Sequence, residues 1–347
     1  QSLFGVKTQL QFGKTTFTGV FSEQKSQTKS VTSQGGGTLQ EFEMFALDYD
    51  SDRHYFLSQY FRNKYDKALE NYPYINSRVQ ITRIEVWITN KQNRVSTTEN
   101  NLRNIVALQD LGEARLLGIP DSEIVGVPNP DFFNVGPDIP SNNPNNKFDP
   151  NAIGSNFLNS SIRDVSTALN GFTISGMAEG IDFAKLENAR KLTASEYTFH
   201  PQLGYLSLNQ RLANDEVLAV AYQYTIGDQV FQVGEFGTDG VDATNVDTSG
   251  IPSSQALVLK MLKGNLVVVE EPVWDLMMKN IYQIQGGYQL QQDDFKLNIL
   301  YTDPSPLNYI TQAGVDPLPT NGADTPLSKV FNVDKLNYTN DPQDGGD

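Results

Sequence analysis

The chain runs to 347 residues, long enough for two or three domains of about 100–200 residues each, and carries 41 acidic against 26 basic side chains for a formal charge of −15. That balance excludes nucleic acid, since binding phosphates takes clustered Lys and Arg, and disfavours an anionic lipid surface; its ordinary meaning is solubility. There is no cysteine and there are two histidines, His54 and His200, so disulfides, thiolate catalysis and cysteine-type zinc sites fall away together.

No apolar run approaches the ~20 residues of a transmembrane helix. The sequence opens at Gln1 on a strand pattern and closes in an acidic, Gly-rich tail, which reads as a segment of a longer protein. Phe4 to Phe12 alternates: Phe4, Val6, Leu10 and Phe12 face one way with Thr8 among them, and Gly5, Lys7, Gln9 and Gln11 face the other. After a tight turn at Gly13-Lys14-Thr15, Thr16 to Ser22 alternates again with Phe17, Gly19 and Phe21 on one side. Two readings stand side by side. One is an outer-membrane barrel hairpin with Phe4, Val6, Leu10, Phe12, Phe17 and Phe21 toward lipid; the other is an ordinary amphipathic hairpin on a half-buried sheet. The Gly-Lys-Thr of the turn is no phosphate loop, because Thr8 stands where the first Gly belongs and no helix follows.

Ser22 to Gln40 is a polar connector, too poor in apolar residues to form a core. Asp50 to Asn71 predicts a helix capped by Asp50, Ser51 or Asp52, with Phe56, Tyr60, Phe61, Ala68 and Leu69 recurring at near-helical spacing and Pro73 as the stop. Val79 to Thr89 predicts a strand. Asn101 to Leu111 predicts a helix, with Leu102, Ile105, Leu108 and Leu111 on a stripe and Gly112 after it. Gly118 to Asn151 is a long Pro- and Asn-rich loop. A short helix over Ser160–Leu169, a strand over Phe172–Ser175 and a charged helix or turn over Asp182–Leu192 follow, and Tyr197–Asn209 leads into the strongest strand signal in the chain.

That signal is the hairpin Val217 to Phe236. Gly227-Asp228 has Gly first, the type II′ pattern, and sets Ile226 opposite Gln229, Tyr224 opposite Phe231 and Tyr222 opposite Val233. Leu218, Val220, Tyr222, Tyr224, Phe231 and Val233 then share one apolar face, and Val217, Ala219, Ala221 and Gly234 leave room on the other for a helix or a second backbone. Beyond it the pattern predicts a Gly/Asp/Ser loop over Thr238–Ser254, a strand over Leu257–Leu262, a helix over Pro272–Ile284 and a strand over Phe295–Tyr301. The fold class is α+β, mainly antiparallel sheets with several packed helices, preceded by the hairpin of outer-membrane-barrel type.

For chemistry the chain offers little. It has no Gly-x-Ser-x-Gly elbow and no His-Glu-x-x-His. An enzyme built on it would run on carboxylates, with Glu235 and the Glu270-Glu271 pair as candidates, and would need two of them facing across a cleft at roughly 5–10 Å. Asp48, Asp50 and Asp52, and in the tail Asp341, Asp344 and Asp347, are spaced as carboxylates that wrap calcium. Neither run completes an EF-hand, and negative charge at a helix start accounts for the first. No cofactor is expected. A surface carbohydrate- or protein-binding module would show itself by an exposed aromatic patch.

Several stretches resemble a known family: Ile84 to Asn90 (IEVWITN), Asn101 to Glu113 (NLRNIVALQDLGE), Leu203 to Leu212 (LGYLSLNQRL), Asp215 to Thr225 (DEVLAVAYQYT), Phe231 to Phe236 (FQVGEF) and Trp274 to Tyr282 (WDLMMKNIY). They look like SprA/Sov, and the opening LFGVKTQLQFGKTTFTGVFSEQKS is similar to one of that family's barrel hairpins. The resemblance spans nearly the whole chain and is one of pattern, with no catalytic residues in it. It implies the outer-membrane translocon of the type IX secretion system and gliding motility, a very large barrel that passes folded cargo. The chain is then an internal piece: a barrel hairpin and polar connector (1–40), a first α/β part of an insertion (41–117), a Pro/Asn-rich loop (118–159) and a second part centred on the hairpin 217–236 (160–347). The partners implied are the rest of the barrel, other secretion subunits and cargo proteins.

Overall fold

The computed structural model describes residues 2–12, 15–25, 31–34, 37–40, 42–91 except 72, 101–113 except 110, 140, 146–148, 158–239 except 174 and 175, 241–246, 252–284, 297–301 and 327. They fall into two compact units: Gln1–Asp48 with Ile284–Gln289, and Tyr49–Gln283 with Leu290–Asp347.

In the first unit, β1 (Ser2–Phe12) and β2 (Thr15–Lys25) pair antiparallel along their whole length. Val6 stands opposite Phe21, Thr8 opposite Gly19 and Leu10 opposite Phe17. Directly opposed residues share a face, so the register puts the alternating apolar positions of both strands on one side of the ribbon. A second ribbon, β3 (Val31–Gln34) with β4 (Gly37–Gln40), occupies what the sequence reads as plain connector. Its register runs from Val31 opposite Gln40 to Gln34 opposite Gly37.

The second unit holds β5 (His54–Phe56), α1 (Gln59–Ala68), β6 (Val79–Ile88), β7 (Leu102–Leu108), β8 (Phe183–Lys191), β9 (Tyr197–His200), β10 (Tyr205–Leu208), β11 (Leu218–Ile226), β12 (Gln229–Val233), β13 (Thr244–Val246), β14 (Pro252–Ser254) and β15 (Leu257–Lys263). Five of these strands close on themselves. β11 pairs with β6 on one side and with β15 on the other, β15 lies parallel to β7, β7 is antiparallel to β8, and β8 returns to β6 through Trp87 opposite Lys191 and Ile88 opposite Arg190. β12 extends the sheet beside the second half of β11. A separate sheet of order β5-β10-β9 and the short ribbon β13–β14 complete the strands.

The two faces of the ring have different tasks. Trp87, Ile105, Ala107, Ala184, Leu186, Ala189, Ala219, Ala221, Leu257, Leu259 and Met261, drawn from all five strands, form one self-contained cluster. Val86, Val106, Leu108, Phe183, Leu218, Val220, Tyr222 and Val258 join a larger cluster with α1 and the three-stranded sheet. A helix and a sheet do not fit inside a five-stranded ring, since even eight strands leave only side-chain room. The alanine-rich face is therefore the inside. Val220 and Tyr222 are fully buried on the outer face, as the hairpin pattern requires. Val220→Ala should lower the unfolding free energy by about 1–3 kcal/mol. Urea melts check this, and an unchanged midpoint would place the centre of the fold elsewhere.

The molecule is mostly β, and the several packed helices expected from the sequence are not there. α1 is the one α-helix of the described residues spanning a full element; it starts eight residues or so later than the pattern suggests, with Ser58 at its N-cap and β5 ahead of it. Asn101–Leu111 and Asp182–Leu192 form β7 and β8. Strands of a closed ring are buried on both faces, so their apolar runs lose the alternation that marks a strand, and Leu102, Ile105 and Leu108 fall three apart without a helix. Ser160–Leu169 gives 3-10 turns at Ser160–Arg163 and Ala168–Gly171, and Leu169 points out. Pro272–Ile284 gives a 3-10 turn over Pro272–Leu276. Phe172 makes an isolated bridge to Leu158, and residues 297–300 carry no strand. The register of β11 with β12 is the one that Gly227-Asp228 dictates, with Gly227 at φ +57°.

Candidate functional site

Four groupings of polar side chains stand out in the second unit. The most deeply placed is an ion pair. Lys260, in the middle of β15, has its Nζ 2.7 Å from Glu113 Oε1 and 2.7 Å from the Gln109 carbonyl oxygen, and both side chains are shut off from solvent. The Gln59 backbone N–H donates to both Glu113 oxygens at 3.0 Å, and the Gln59 side chain donates to the Pro272 carbonyl at 2.7 Å. Burial pushes the Glu113 carboxyl up; the Lys260 ammonium and the Gln59 N–H pull it back. The pair joins the ring to the start of α1.

A second grouping spans β5 and β10. His54 and Ser207 are opposed across the two strands, and His54 Nδ1 lies 2.8 Å from Ser207 Oγ while its Nε2 lies 3.3 Å from Asp50 Oδ2. Serine, histidine and aspartate in a row resemble a hydrolase triad, but the carboxylate is committed elsewhere. Arg53 holds Asp50 Oδ2 at 2.7 Å and Arg211 reaches Asp50 Oδ1 at 3.3 Å. Ser207 sits on the middle strand of its sheet, away from the cavity described below. Here Asp50 bridges two arginines and holds the imidazole, which in turn ties β5 to β10 through Ser207.

This arrangement carries a pH dependence. Burial lowers the His54 pKa below its usual 6.5, with the Asp50 carboxylate opposing and Arg53 reinforcing. Below 6.5 the unfolded chain therefore takes up a proton that the folded chain does not, and folding loses stability as the pH falls through that value toward the lowered folded pKa. The urea midpoint should drop between pH 7.5 and 5.5, and His54→Gln should flatten the drop. Parallel pH profiles for the two proteins would assign the loss to other groups.

The third grouping binds the segment after β12 across the ring. Arg163 forks onto Glu235 at 2.6 and 2.7 Å, and Glu235 also accepts the Val258 N–H at 2.8 Å. Glu85 takes the Gly237 N–H at 2.9 Å and Lys191 Nζ at 2.7 Å. Arg83 lies 3.7 Å over the Phe236 ring and pairs with Asp239 at 2.9 Å. The fourth is a cavity of about 100 Å³ between one side of α1, Asn76–Arg78 and Gln202–Leu203.

Glu235 is thus clamped by an arginine and is no free acid. Glu271 accepts from Gln109 at 3.3 Å, and burial first, with Asp182 and Glu270 adding, pushes its carboxyl above the usual range. Of the first Asp run, Asp48 accepts the Phe45 N–H, Asp50 is held as above, and Asp52 lies 3.5 Å from the Tyr55 hydroxyl. None of the three caps α1. Among the described residues no three His, Cys, Asp or Glu come together as a metal site. Asp341, Asp344 and Asp347 lie outside the described residues, as do the side chains of the hairpin positions Phe4, Val6, Leu10, Phe12, Phe17 and Phe21. His200 lies on β9, where its Nδ1 accepts the Leu203 N–H at 3.2 Å and its ring stacks on Tyr205. The residues that sequence reasoning missed are Lys260, Glu113, Ser207 and Arg163. A lysine inside LVLKMLK was the one available signal, because a charge in the middle of an apolar strand needs a buried partner.

By fold and by site this is a mainly-β protein whose charged groups brace the frame. The family model SprA_N, described as a motility related/secretion protein, matches residues 1–213, and the chain belongs to that family. No curated protein matches it.

Proposed function

We propose that the chain is a structural and interaction part of an outer-membrane protein-secretion translocon, serving type IX secretion and gliding motility, with no chemistry of its own. The observation that carries this reading is the β1–β2 ribbon. Its strands are 11 residues each, and barrel strands cross a bilayer in about 9–11. Its register gathers the apolar positions on one face. On this reading β1 and β2 are two staves of the translocon barrel, with Phe4, Val6, Leu10, Phe12, Phe17 and Phe21 toward lipid. Family membership supports the secretion role. The partners are the remaining barrel strands, other secretion subunits and cargo proteins.

The part from Glu41 onward lies outside the cell on this reading. The connection before β2 is two residues long, and the one after it opens into the whole second unit. In outer-membrane barrels short turns are periplasmic and long loops extracellular. A cysteine placed at Asn142 should react with a membrane-impermeant maleimide on intact cells. Labelling only after the outer membrane is opened would put the insertion in the periplasm.

A further inference from the structure

The cavity beside α1 has a lining that the reading above does not use. Its floor is apolar and aromatic, with Tyr60, Phe61, Tyr65, Ala68 and Leu203 all buried. Its rim carries Lys64, Lys67 and Arg78, and every charged residue that lines it is basic. In a chain with 41 acidic and 26 basic residues, a lining whose charges are all basic goes against the overall composition. Lys67 in the last turn also complements the helix dipole, but Arg78 stands off the helix and has no such role.

Size decides what could enter. Sites for drug-sized molecules run to about 300–1,000 Å³. At about 100 Å³ this cavity takes one side chain. We infer that it receives an apolar or aromatic side chain of a partner polypeptide whose flanking residues are aspartate or glutamate: the floor buries the side chain, and Lys67 and Arg78 on the rim pair with the carboxylates. The inference rests on the proposed interaction role and names the chemistry of the partner for it. Because the chain as a whole is strongly acidic, an acidic partner gains nothing from long-range steering, and recognition comes from short-range contact at this rim.

The test uses the full chain and an end-blocked peptide alternating aspartate with leucine and phenylalanine, followed by fluorescence anisotropy. Controls are the same peptide with lysine for aspartate, and inorganic phosphate as competitor. The acidic peptide should bind, the lysine peptide should not, and phosphate should compete only weakly. Lys67→Glu with Arg78→Glu should weaken binding at least tenfold; both positions are exposed, so the fold should hold, as a thermal melt would verify. Arg62→Glu, on α1 but outside the lining, should leave binding unchanged. Absence of peptide binding, equal binding by the double variant, or phosphate binding as tightly as the peptide would each overturn the inference. None of these outcomes touches the sidedness test at Asn142, so the two readings fail separately.

Discussion

Lys260→Met is expected to destabilise the protein by about 3–5 kcal/mol, among the largest effects of any single substitution here. The lysine is fully buried on β15, and its ammonium is the charge paired with Glu113. Removing it leaves Glu113, among the described residues, with the Gln59 N–H as its remaining close donor, in a place shut off from solvent. A lone buried charge costs far more than the pair contributes, because the desolvation of the survivor is no longer offset. The converse is the sharper test. Lys260→Met combined with Glu113→Gln should recover most of the loss, since it removes the uncompensated charge and keeps the volume. A double-mutant cycle by urea denaturation measures this. If the double variant is as unstable as the sum of the singles, the pair is not the unit that matters.

Gly204→Ala is expected to cost about 2–6 kcal/mol, from two causes that can be separated. Gly204 has φ +63°, a conformation in which a side chain is strained, and a Cβ there would sit inside the van der Waals envelope of the Phe61 ring. The close approach is what lets α1 lie flat on the three-stranded sheet, with the Leu57 N–H donating to the Gly204 carbonyl at 2.9 Å. Gly227→Ala isolates the first cause. Gly227 has φ +57° and would meet nothing within 4 Å, so only backbone strain, about 1–3 kcal/mol, should appear. Adding Phe61→Leu to Gly204→Ala should return part of the packing loss and none of the strain. Equal losses at Gly204 and Gly227 would mean that the Phe61 contact is soft.

What could be read from the sequence was what is local. The Gly227-Asp228 turn fixes the pairing of β11 with β12 residue by residue, and β6 alternates enough to be recognised. The alternation over Phe4–Phe12 and Thr16–Ser22 likewise marks β1 and β2 as strands. Ring closure is a different matter. β6 finds β11 and β7 finds β15 across most of the unit, and no turn residue records those pairings. Burial on both faces then removes the period-two pattern from β7, so Asn101–Leu111 imitates a helix. Polar networks are as hard to see. Ser207 and His54 meet because β10 pairs with β5, and Arg163 meets Glu235 because the chain returns across β15. The carboxylate candidates Glu235 and Glu271 were identified by residue type alone, and their partners, Arg163 and Gln109, come from elsewhere in the chain.

The closed ring also sets a timetable. A ribosome delivers β6, β7 and β8 before β11 and β15 exist. At ordinary synthesis rates the wait between finishing β7 and finishing its parallel partner β15 is on the order of ten seconds. β6 lacks β11 until residue 226 and β7 lacks β15 throughout, so strand edges stand open to pairing with another chain. Keeping such edges apart until the last strand arrives matters most for this unit between residues 108 and 263. The family match stops at residue 213, before β11. A clone cut at that boundary holds three of the five staves and is expected to aggregate, which light scattering of the truncated protein would check.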